Sequence, residues 1–273
     1  MTISSRRSPL RISIIGMGYV GLPMAIRFSE IGDHVIGFDL DQSKIAALKK
    51  SNSYLSHIPS KKISDLNMLD FHPSSEPKSM KGSDVFIICV PTPLNKYKEP
   101  DMKYIRSAIN IVSNYLQKNQ IICLVSTTYP GTTEEIIIPK LIEKKFIPGV
   151  NIHVIYSPER EDPGNQTYNF KSTPRILGGF SAKCLKAGQF LFNNAVDNLI
   201  TVSDLKTAEM VKLLENIYRS VNIGLVNEIK KITHKMDIDV FEVINAAQSK
   251  PFGFQAFFPG PGLGGHCIPI DPF

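Results

Sequence analysis

Residues 11–39 read RISIIGMGYVGLPMAIRFSEIGDHVIGFD, and the pattern of apolar residues and glycines in them indicates the fold class. A β-branched run at 11–16 is followed by a helical apolar pattern at 19–31 and by a second apolar run at 34–39. The order of strand, helix and strand is typical of a βαβ unit, in which both strands lie parallel in one sheet.

The turn between the first strand and the helix carries a GxGxxG motif, formed by Gly16, Gly18 and Gly21. In such motifs the first glycine permits a tight turn, the second lets the backbone approach a pyrophosphate, and the third lets the helix pack closely on the strand. Free N–H groups at the helix start, around Tyr19 and Val20, can then hold the phosphates. The motif alone is a weak signal, but its position between a strand and a helix predicts dinucleotide binding.

An acidic residue ends the second strand of this unit. Asp39 follows Gly21 by eighteen residues, and at this position a carboxylate is expected to accept hydrogen bonds from both adenosine ribose hydroxyls. Because a carboxylate would repel a 2′-phosphate, the sequence predicts NAD as the cofactor in preference to NADP. Lys44 is close enough in sequence to reach the adenosine end, although a solvated helix lysine explains it equally well.

Strand and helix patterns continue to alternate through the first two hundred residues. Apolar strand-like runs occur at 85–90, 121–126 and 152–156, and helical patterns lie near 41–50, 103–118 and 133–145. This alternation predicts an α/β fold with a Rossmann-like, doubly wound and mainly parallel sheet that is covered by helices on both faces.

Two hydroxyl-bearing segments follow predicted strands. Thr92 lies in the segment VPTP, and Ser126 and Thr127 lie at the end of the strand-like run at 121–126. The carboxyl ends of parallel strands line the cofactor crevice of such folds. These hydroxyls are therefore expected either to contact the cofactor or substrate or to make simple turn hydrogen bonds.

The sequence pattern changes near residue 200. One helical pattern runs from Ser203 to about Lys235, with an apolar face made of Val211, Leu214, Tyr218, Val221, Leu225, Ile229 and Ile232. A second helix is predicted at 239–248, and a Gly/Pro-rich segment follows it. We therefore predict a domain boundary close to Thr201, with a nucleotide-binding domain at 1–200 and a central helical region at 201–273.

Composition excludes several classes of protein. The formal net charge of +6 favours anionic partners, but no run of basic residues interleaved with aromatics indicates nucleic-acid binding. No stretch of eighteen apolar residues predicts a membrane span, and the N-terminus lacks a signal-peptide pattern. The four cysteines have neither paired nor metal-type spacing, so we expect free thiols, no metal site and a cytoplasmic location.

One cysteine lies in an unusual setting. Cys267 belongs to the loop GGHCIPID at 264–271, which brings a thiol, an imidazole and a carboxylate into one non-repetitive segment. Reactive groups concentrate in loops on a rigid scaffold, and a nearby cation makes a thiol nucleophilic by lowering its pKa. Cys89 and Cys123 lie in apolar strand runs, where a cysteine is usually inert packing.

Seven segments together resemble the UDP-glucose/GDP-mannose dehydrogenase family: IIGMGYVGLP, GFDLD, VPTP, STTYPGTTEE, YSPER, AEMVKLLENIYRSVNIGLVNE and GPGLGGHCIPIDP. They are spread over the whole chain and occur in the family's order, which makes the match specific. The resemblance implies oxidation of the primary alcohol of a sugar nucleotide to a carboxylate with two NAD molecules.

The resemblance also implies roles for individual residues. Cys267 would add to the sugar aldehyde to give a thiohemiacetal, whose oxidation leaves a thioester for water to hydrolyse. Lys212 and Asn216 lie four apart on one helix face, opposite the apolar stripe, where they would stabilise an oxyanion at C6. Glu159 matches an acid/base glutamate for thioester hydrolysis, and Asp271 a carboxylate that helps to activate water.

Thr127 matches a hydroxyl near that water. The segment KPFGFQAFFPGPGLGGHCIPIDP, together with YSPER and the DPG that follows it at 162–164, resembles the family branch that acts on UDP-N-acetyl sugars. UDP-N-acetylglucosamine is therefore the expected substrate, ahead of UDP-N-acetylmannosamine and UDP-glucose. Arg160 stands where members acting on UDP-glucose commonly have an aromatic residue.

A non-catalytic NAD-binding or assembly module is the alternative interpretation. Family members normally continue past the cysteine loop into a second nucleotide domain that holds the UDP, and no such C-terminal domain is found in these 273 residues. The apolar face of the long helix is typical of a surface that another protein chain buries, so we expect a homodimer or a higher homo-oligomer.

Overall fold

The structure is a computed structural model, and it describes residues 8–160 and 167–264. The chain divides into two compact units. The first comprises Met1–Thr92 and Asp101–Met210, and the second comprises Pro93–Pro100 and Val211–Phe273.

The first unit is built on an eight-stranded sheet with the order β3-β2-β1-β4-β5-β6-β7-β8. Neighbouring strands are parallel, except for the antiparallel pair β6 and β7. The mainly parallel Rossmann-like sheet predicted from the sequence is thereby confirmed. The strands are β1 (Arg11–Ile15), β2 (His34–Phe38), β3 (Phe71–Ser74), β4 (Val85–Ile88), β5 (Ile121–Leu124), β6 (His153–Tyr156), β7 (Arg175–Gly179) and β8 (Leu199–Thr201).

The central strands are apolar and buried along their full length. Every residue of β4 and of β5 is buried, which is the pattern of parallel strands covered on both faces. The helices of this unit are α1 (Gly21–Glu30), α2 (Gln42–Lys49), α3 (Ser60–Asn67), α4 (Lys103–Val112), α5 (Ile138–Glu143) and α6 (Ala182–Phe192).

Two helices differ in extent from the sequence prediction. The helix expected at 103–118 ends at Val112, where the side chains of Ser113 and Asn114 both donate to the Asn110 carbonyl and compete with the helical hydrogen bonds. The helix expected at 133–145 begins as a π-helical turn at Thr133–Ile137 and continues as α5, which has a proline in its first turn. Proline has no N–H to donate, which favours a local change in the helical hydrogen-bond pattern.

The long helix predicted from Ser203 is α7 (Leu205–Lys235), and it is followed by α8 (Val240–Ala247). Asp239 is the N-cap residue of α8, and its carboxylate accepts from the Phe241 N–H at 2.8 Å. Within residues 8–160 and 167–264, no helix is both long and apolar enough to cross a membrane.

Candidate functional site

Several predicted site residues follow the carboxyl ends of parallel strands. Gly16 follows β1, Asp39 follows β2, Thr92 comes after β4, Thr127 after β5 and Glu159 after β6. Because these five strands are parallel neighbours, their carboxyl ends lie along one edge of the sheet. Ligands of open α/β sheets bind at this edge, next to the point where the strand order reverses.

The glycine loop leaves no room for side chains at its first and third glycines. Gly16 has φ +100°, and a Cβ there would lie 2.8 Å from the Cys89 carbonyl oxygen. A Cβ on Gly21 would lie 1.8 Å from the Gly16 carbonyl oxygen. A Cβ on Gly18, in contrast, would meet nothing within 4 Å, so this position faces open space. The loop therefore has the closed turn and the open middle that an approaching pyrophosphate requires.

The first turn of α1 offers backbone donors. Val20 is its N-cap residue, and its side chain makes no capping hydrogen bond. The N–H groups at the start of a helix have no intrahelical acceptor, and they favour an anion. This arrangement fits the pyrophosphate of a dinucleotide, which would be held by the backbone around Tyr19 and Val20.

Asp39 is held in place by three donors. Its Oδ2 accepts from the Met17 N–H at 2.8 Å and from Lys44 Nζ at 3.1 Å, and its Oδ1 accepts from the Asp41 N–H at 2.9 Å. The Asp39 side chain is 12% exposed, so an edge of the carboxylate stays accessible. Lys44 pairs with Asp39 and is not a freely solvated lysine.

A segment between α2 and α3 contacts the glycine loop, which the sequence analysis did not predict. The Tyr54 hydroxyl donates to the Met17 carbonyl at 2.5 Å, and the His57 ring stacks on the Tyr19 ring with centroids 5.3 Å apart. Burial raises the pKa of Tyr54, and the nearby charges of Asp39 and Asp41 raise it further. Tyr54 therefore stays protonated and fixes the backbone of the loop.

Two hydroxyl groups at the strand ends, those of Thr92 and Ser126, bond to the backbone of the neighbouring strand end. Thr92 Oγ1 donates to the Thr127 carbonyl at 2.7 Å, and Ser126 Oγ donates to the Val90 carbonyl at 2.6 Å. These bonds tie the end of β4 to the end of β5. Neither bond lies within a turn, and contact of these hydroxyls with the cofactor or substrate stays a prediction.

Glu159 lies in a network of charged and backbone groups. Its Oε1 accepts from the Arg160 N–H at 2.7 Å, and its Oε2 pairs with Arg175 Nη1 at 3.4 Å. Arg175 is a residue of β7 that the sequence analysis missed, since sixteen residues separate it from Glu159.

A second buried carboxylate lies at the start of α7. Glu209 is fully buried and accepts from the Gly131 N–H at 2.5 Å, from the Thr133 N–H at 2.9 Å and from the Thr133 hydroxyl at 2.7 Å. Burial raises the pKa of Glu209, although these donors oppose the rise. Glu209 thus holds the loop that connects Thr127 to the π-helical turn.

Lys212 and Asn216 lie on the continuous helix α7, as predicted. Asn216 is buried and Lys212 is half-buried, whereas several residues of the opposite apolar stripe are exposed: Leu214, Tyr218, Val221, Leu225 and Ile232. Cys267 and Asp271, the predicted nucleophile and its neighbouring carboxylate, lie outside the described residues.

The remaining cysteines fit inert packing. Burial raises the pKa of Cys123 to about 12 and that of Cys89 well above its usual range, and Cys184 is buried in α6. A thiol with a raised pKa is a poor nucleophile near neutral pH. Among residues 8–160 and 167–264, no cluster of three histidine, cysteine or acidic residues is arranged to hold a metal ion.

Comparison with known proteins matches both parts of the chain. The family model described as UDP-glucose/GDP-mannose dehydrogenase family, NAD binding domain, matches residues 10–196, and the model of the family's central domain matches residues 206–273. A UDP-N-acetyl-D-mannosamine dehydrogenase from Pyrococcus horikoshii is 36% identical over 97% of this chain, and a UDP-N-acetyl-D-glucosamine 6-dehydrogenase from Salmonella typhi is 35% identical over 97%.

The fold comparison agrees with the sequence comparison. A solved structure of the UDP-D-ManNAc dehydrogenase from Pyrococcus horikoshii superposes with a TM-score of 0.91 at 34% identity, covering 96% of this chain and 63% of that one. The chain spans 63% and 61% of the lengths of the two relatives named above, which is about three fifths. The chain therefore belongs to the UDP-glucose/GDP-mannose dehydrogenase family, and residues 10–196 are its NAD-binding domain.

Proposed function

We propose that the protein carrying this chain oxidises the C6 primary alcohol of a UDP-sugar to the uronic acid. The observation that carries the proposal is the shared edge of the sheet. There the glycine loop and Asp39 form a cofactor site, and Glu159 follows a parallel strand at the same edge. The acid/base group and the cofactor site therefore belong to one crevice of the first unit.

The proposal assigns the following roles to residues of the chain. The backbone around Tyr19 and Val20 binds the pyrophosphate of NAD, and Asp39 with Lys44 orients the adenosine end. Bound NAD supplies the acceptor for hydride. Thr127 orients the hydrolytic water, Glu159 takes its proton, and Asp271 assists.

The covalent steps belong to the second unit in this proposal. The Cys267 thiolate adds to the sugar aldehyde, and Lys212 and Asn216 stabilise the oxyanion that forms at C6. The proposed division places the NAD-binding domain at 1–200 and the central helical region at 201–273.

UDP-N-acetylglucosamine is the proposed sugar, with UDP-N-acetylmannosamine and UDP-glucose as the next candidates. The support is the segment from Lys250 to the cysteine loop, which resembles the N-acetyl branch of the family. The relatives named above act, by their names, on the mannosamine or the glucosamine derivative.

Purified protein mixed with NAD and each of the three UDP-sugars tests the function. Reduced cofactor should accumulate at two equivalents per uronic acid, measured by absorbance and by mass spectrometry of the product. We expect the isolated 273-residue chain to bind NAD but to oxidise UDP-sugars weakly or not at all, because contacts to remote parts of a substrate also position its reacting carbon. The alternative of a non-catalytic NAD-binding module would be favoured if both the isolated chain and the whole protein bind NAD but do not reduce it when a UDP-sugar is added.

Cofactor preference gives a second test, which depends on Asp39. NAD should bind more tightly than NADP. Asp39→Ala should reduce the ratio of the two affinities by about 10-fold, or about 1.4 kcal/mol. The variant removes the charge that repels a 2′-phosphate, and it frees Lys44 to attract one. Calorimetry with both cofactors measures the effect, and Asp65→Ala, which removes an exposed carboxylate on α3, is the matched control. Equal affinities of the unsubstituted protein for NAD and NADP would contradict the role proposed for Asp39.

We also propose that the apolar stripe of α7 pairs with a second copy of the chain. Leu214, Val221 and Leu225 are 60%, 62% and 56% exposed, which is unusual for neighbours on one helix face. Leu225→Lys is expected to shift the protein towards monomer in sedimentation at micromolar concentration. His234→Lys, at an exposed position on the other side of α7, should leave the distribution unchanged. A monomeric unsubstituted protein would refute the proposed pairing.

A further inference from the structure

Arg175 carries a buried positive charge to which the steps described above assign no task. It lies at the start of β7 and is 4% exposed. Its guanidinium lies 4.6 Å from the ring centroid of Phe170 and 5.0 Å from that of Phe192. Burying a charge is costly unless partners compensate, so the partners of Arg175 indicate its role.

The guanidinium binds both ends of the segment Ser157–Glu159. Its Nε donates to Ser157 Oγ at 2.8 Å, its Nη2 donates to the Ser157 carbonyl at 3.4 Å, and its Nη1 pairs with Glu159 Oε2 at 3.4 Å. Ser157 Oγ in turn donates to the Ile176 carbonyl at 2.7 Å. Since the guanidinium is a planar, rigid fork, these contacts fix the segment after β6 against the start of β7.

The second oxygen of Glu159 is oriented as well. It accepts from the Arg160 N–H at 2.7 Å, and Arg160 Nη1 donates to the Pro174 carbonyl at 2.6 Å. The Glu159 side chain keeps 13% of its surface exposed, so the carboxylate is held but still reachable. A carboxylate that is held in one orientation and remains accessible is suited to receive a proton from a bound water.

We propose that Arg175 is the positioning residue of Glu159, and that it aims this carboxylate at the water that hydrolyses the enzyme thioester. This inference rests on the proposed function. In the step concerned, Glu159 takes a proton from water, and the hydroxide adds to the thioester carbon. The carbon–sulfur bond then breaks, and the proton passes to the leaving thiolate. No electron is gained or lost in this step, and Arg175 itself transfers no proton.

A kinetic experiment separates this role from general support of the fold. Both oxidations precede hydrolysis of the thioester, which is the step that Arg175→Met should slow. This variant should therefore still give a burst of two reduced cofactors per active site. Steady-state turnover should fall about 10- to 100-fold, because a misplaced general base loses much of its effect. Intact-protein mass spectrometry should then show a covalent sugar adduct, as it should for Glu159→Gln. Arg175→Lys should restore part of the rate, since lysine keeps the charge but loses the fork.

A second experiment needs no turnover. Chemical unfolding of the unsubstituted protein, Arg175→Met, Glu159→Gln and the double variant forms a double-mutant cycle. The two substitutions should be non-additive, with a coupling of at least several-fold in the unfolding equilibrium constant. If Arg175→Met does not fold, Arg175→Lys takes its place in both experiments, and a smaller coupling and a smaller accumulation of adduct are expected.

The outcomes are distinct. The role of Arg175 would be overturned by either of two results. In the first, the effects of Arg175→Met and Glu159→Gln on stability are additive. In the second, Arg175→Met lowers the burst and the steady-state rate together, and no covalent sugar adduct accumulates. Absence of UDP-sugar oxidation by the whole protein that carries this chain would refute the proposed function, while the cycle would still decide whether Arg175 holds Glu159. Arg27→Met is the matched control. Arg27 is part-buried, donates to the carbonyls of Asn194 and Ala195, and forms an ion pair with Glu30. None of these contacts involves the segment at 157–159. It should change stability but not the ratio of burst to steady-state rate.

Discussion

Replacing Cys267 by serine is expected to abolish formation of the uronic acid, with a loss on the order of 1,000-fold or more. A serine hydroxyl remains protonated at neutral pH, whereas a thiol reaches the nucleophilic thiolate form readily. Without an adduct, the aldehyde cannot be oxidised to a thioester, so the reaction should stop after one hydride transfer. The expected signature is loss of the acid, measured by chromatography of the product, together with unchanged affinity for NAD.

Cys184→Ser is the matched control for this substitution. Cys184 is buried in α6, where its sulfur accepts from the Val154 N–H at 3.3 Å, and we assign it no part in the chemistry. This variant should be somewhat less stable and should still form the acid. Acid produced at the normal rate by Cys267→Ser would show that another group carries the aldehyde step.

The local parts of the fold could be predicted from the sequence. The strand, glycine turn and helix at 11–31 follow from hydrophobic period and from the positions of Gly16 and Gly21, and the structure gives these glycines the close contacts that the motif requires. Asp39 could be found in the same way, because its distance from the motif is set by one helix and one strand.

Contacts between distant residues could not be predicted. Glu209 meets Gly131 across 78 residues, and Arg175 meets Glu159 across sixteen, so no periodic pattern joins the partners. The strand β3 was also missed, since its four residues FHPS include a proline and only one buried side chain. Edge strands tolerate proline, and pairing with β2 rather than local propensity makes this segment a strand.

Removal of the buried Glu209 side chain is expected to destabilise the first unit. In Glu209→Ala the N–H groups of Gly131 and Thr133 would lose their acceptor at the start of the π-helical turn. Each buried donor without a partner costs about 1–3 kcal/mol, and removing the costly buried carboxylate offsets part of this. The net loss in the free energy of unfolding is expected to be about 2–4 kcal/mol. Urea unfolding followed by circular dichroism measures it.

Glu228→Ala is the matched control on the same helix. Glu228 is exposed and pairs with Lys231 at 2.6 Å, so its loss should change the free energy of unfolding by no more than about 0.5 kcal/mol. Because alanine is the better helix former, helix propensity cannot account for a loss in either variant. A similar loss in both variants would contradict the stabilising role of the buried contacts of Glu209.

The pH dependence of Glu209 has a defined sign. Burial raises its pKa above the usual 4.5, so the folded state binds the proton more tightly than the unfolded state does. The stability that comes from this proton is fully present below pH 4.5 and is lost as the pH rises through the folded pKa. Relative to Glu209→Gln, which does not titrate, the unsubstituted protein should therefore gain stability as the pH falls from 7 towards 4.5. Unfolding curves of both proteins over this range test the prediction. If the stability of the unsubstituted protein relative to Glu209→Gln stays constant with pH, the hydrogen bonds from Gly131 and Thr133 cancel the effect of burial on the pKa. If it falls as the pH falls, these hydrogen bonds outweigh burial.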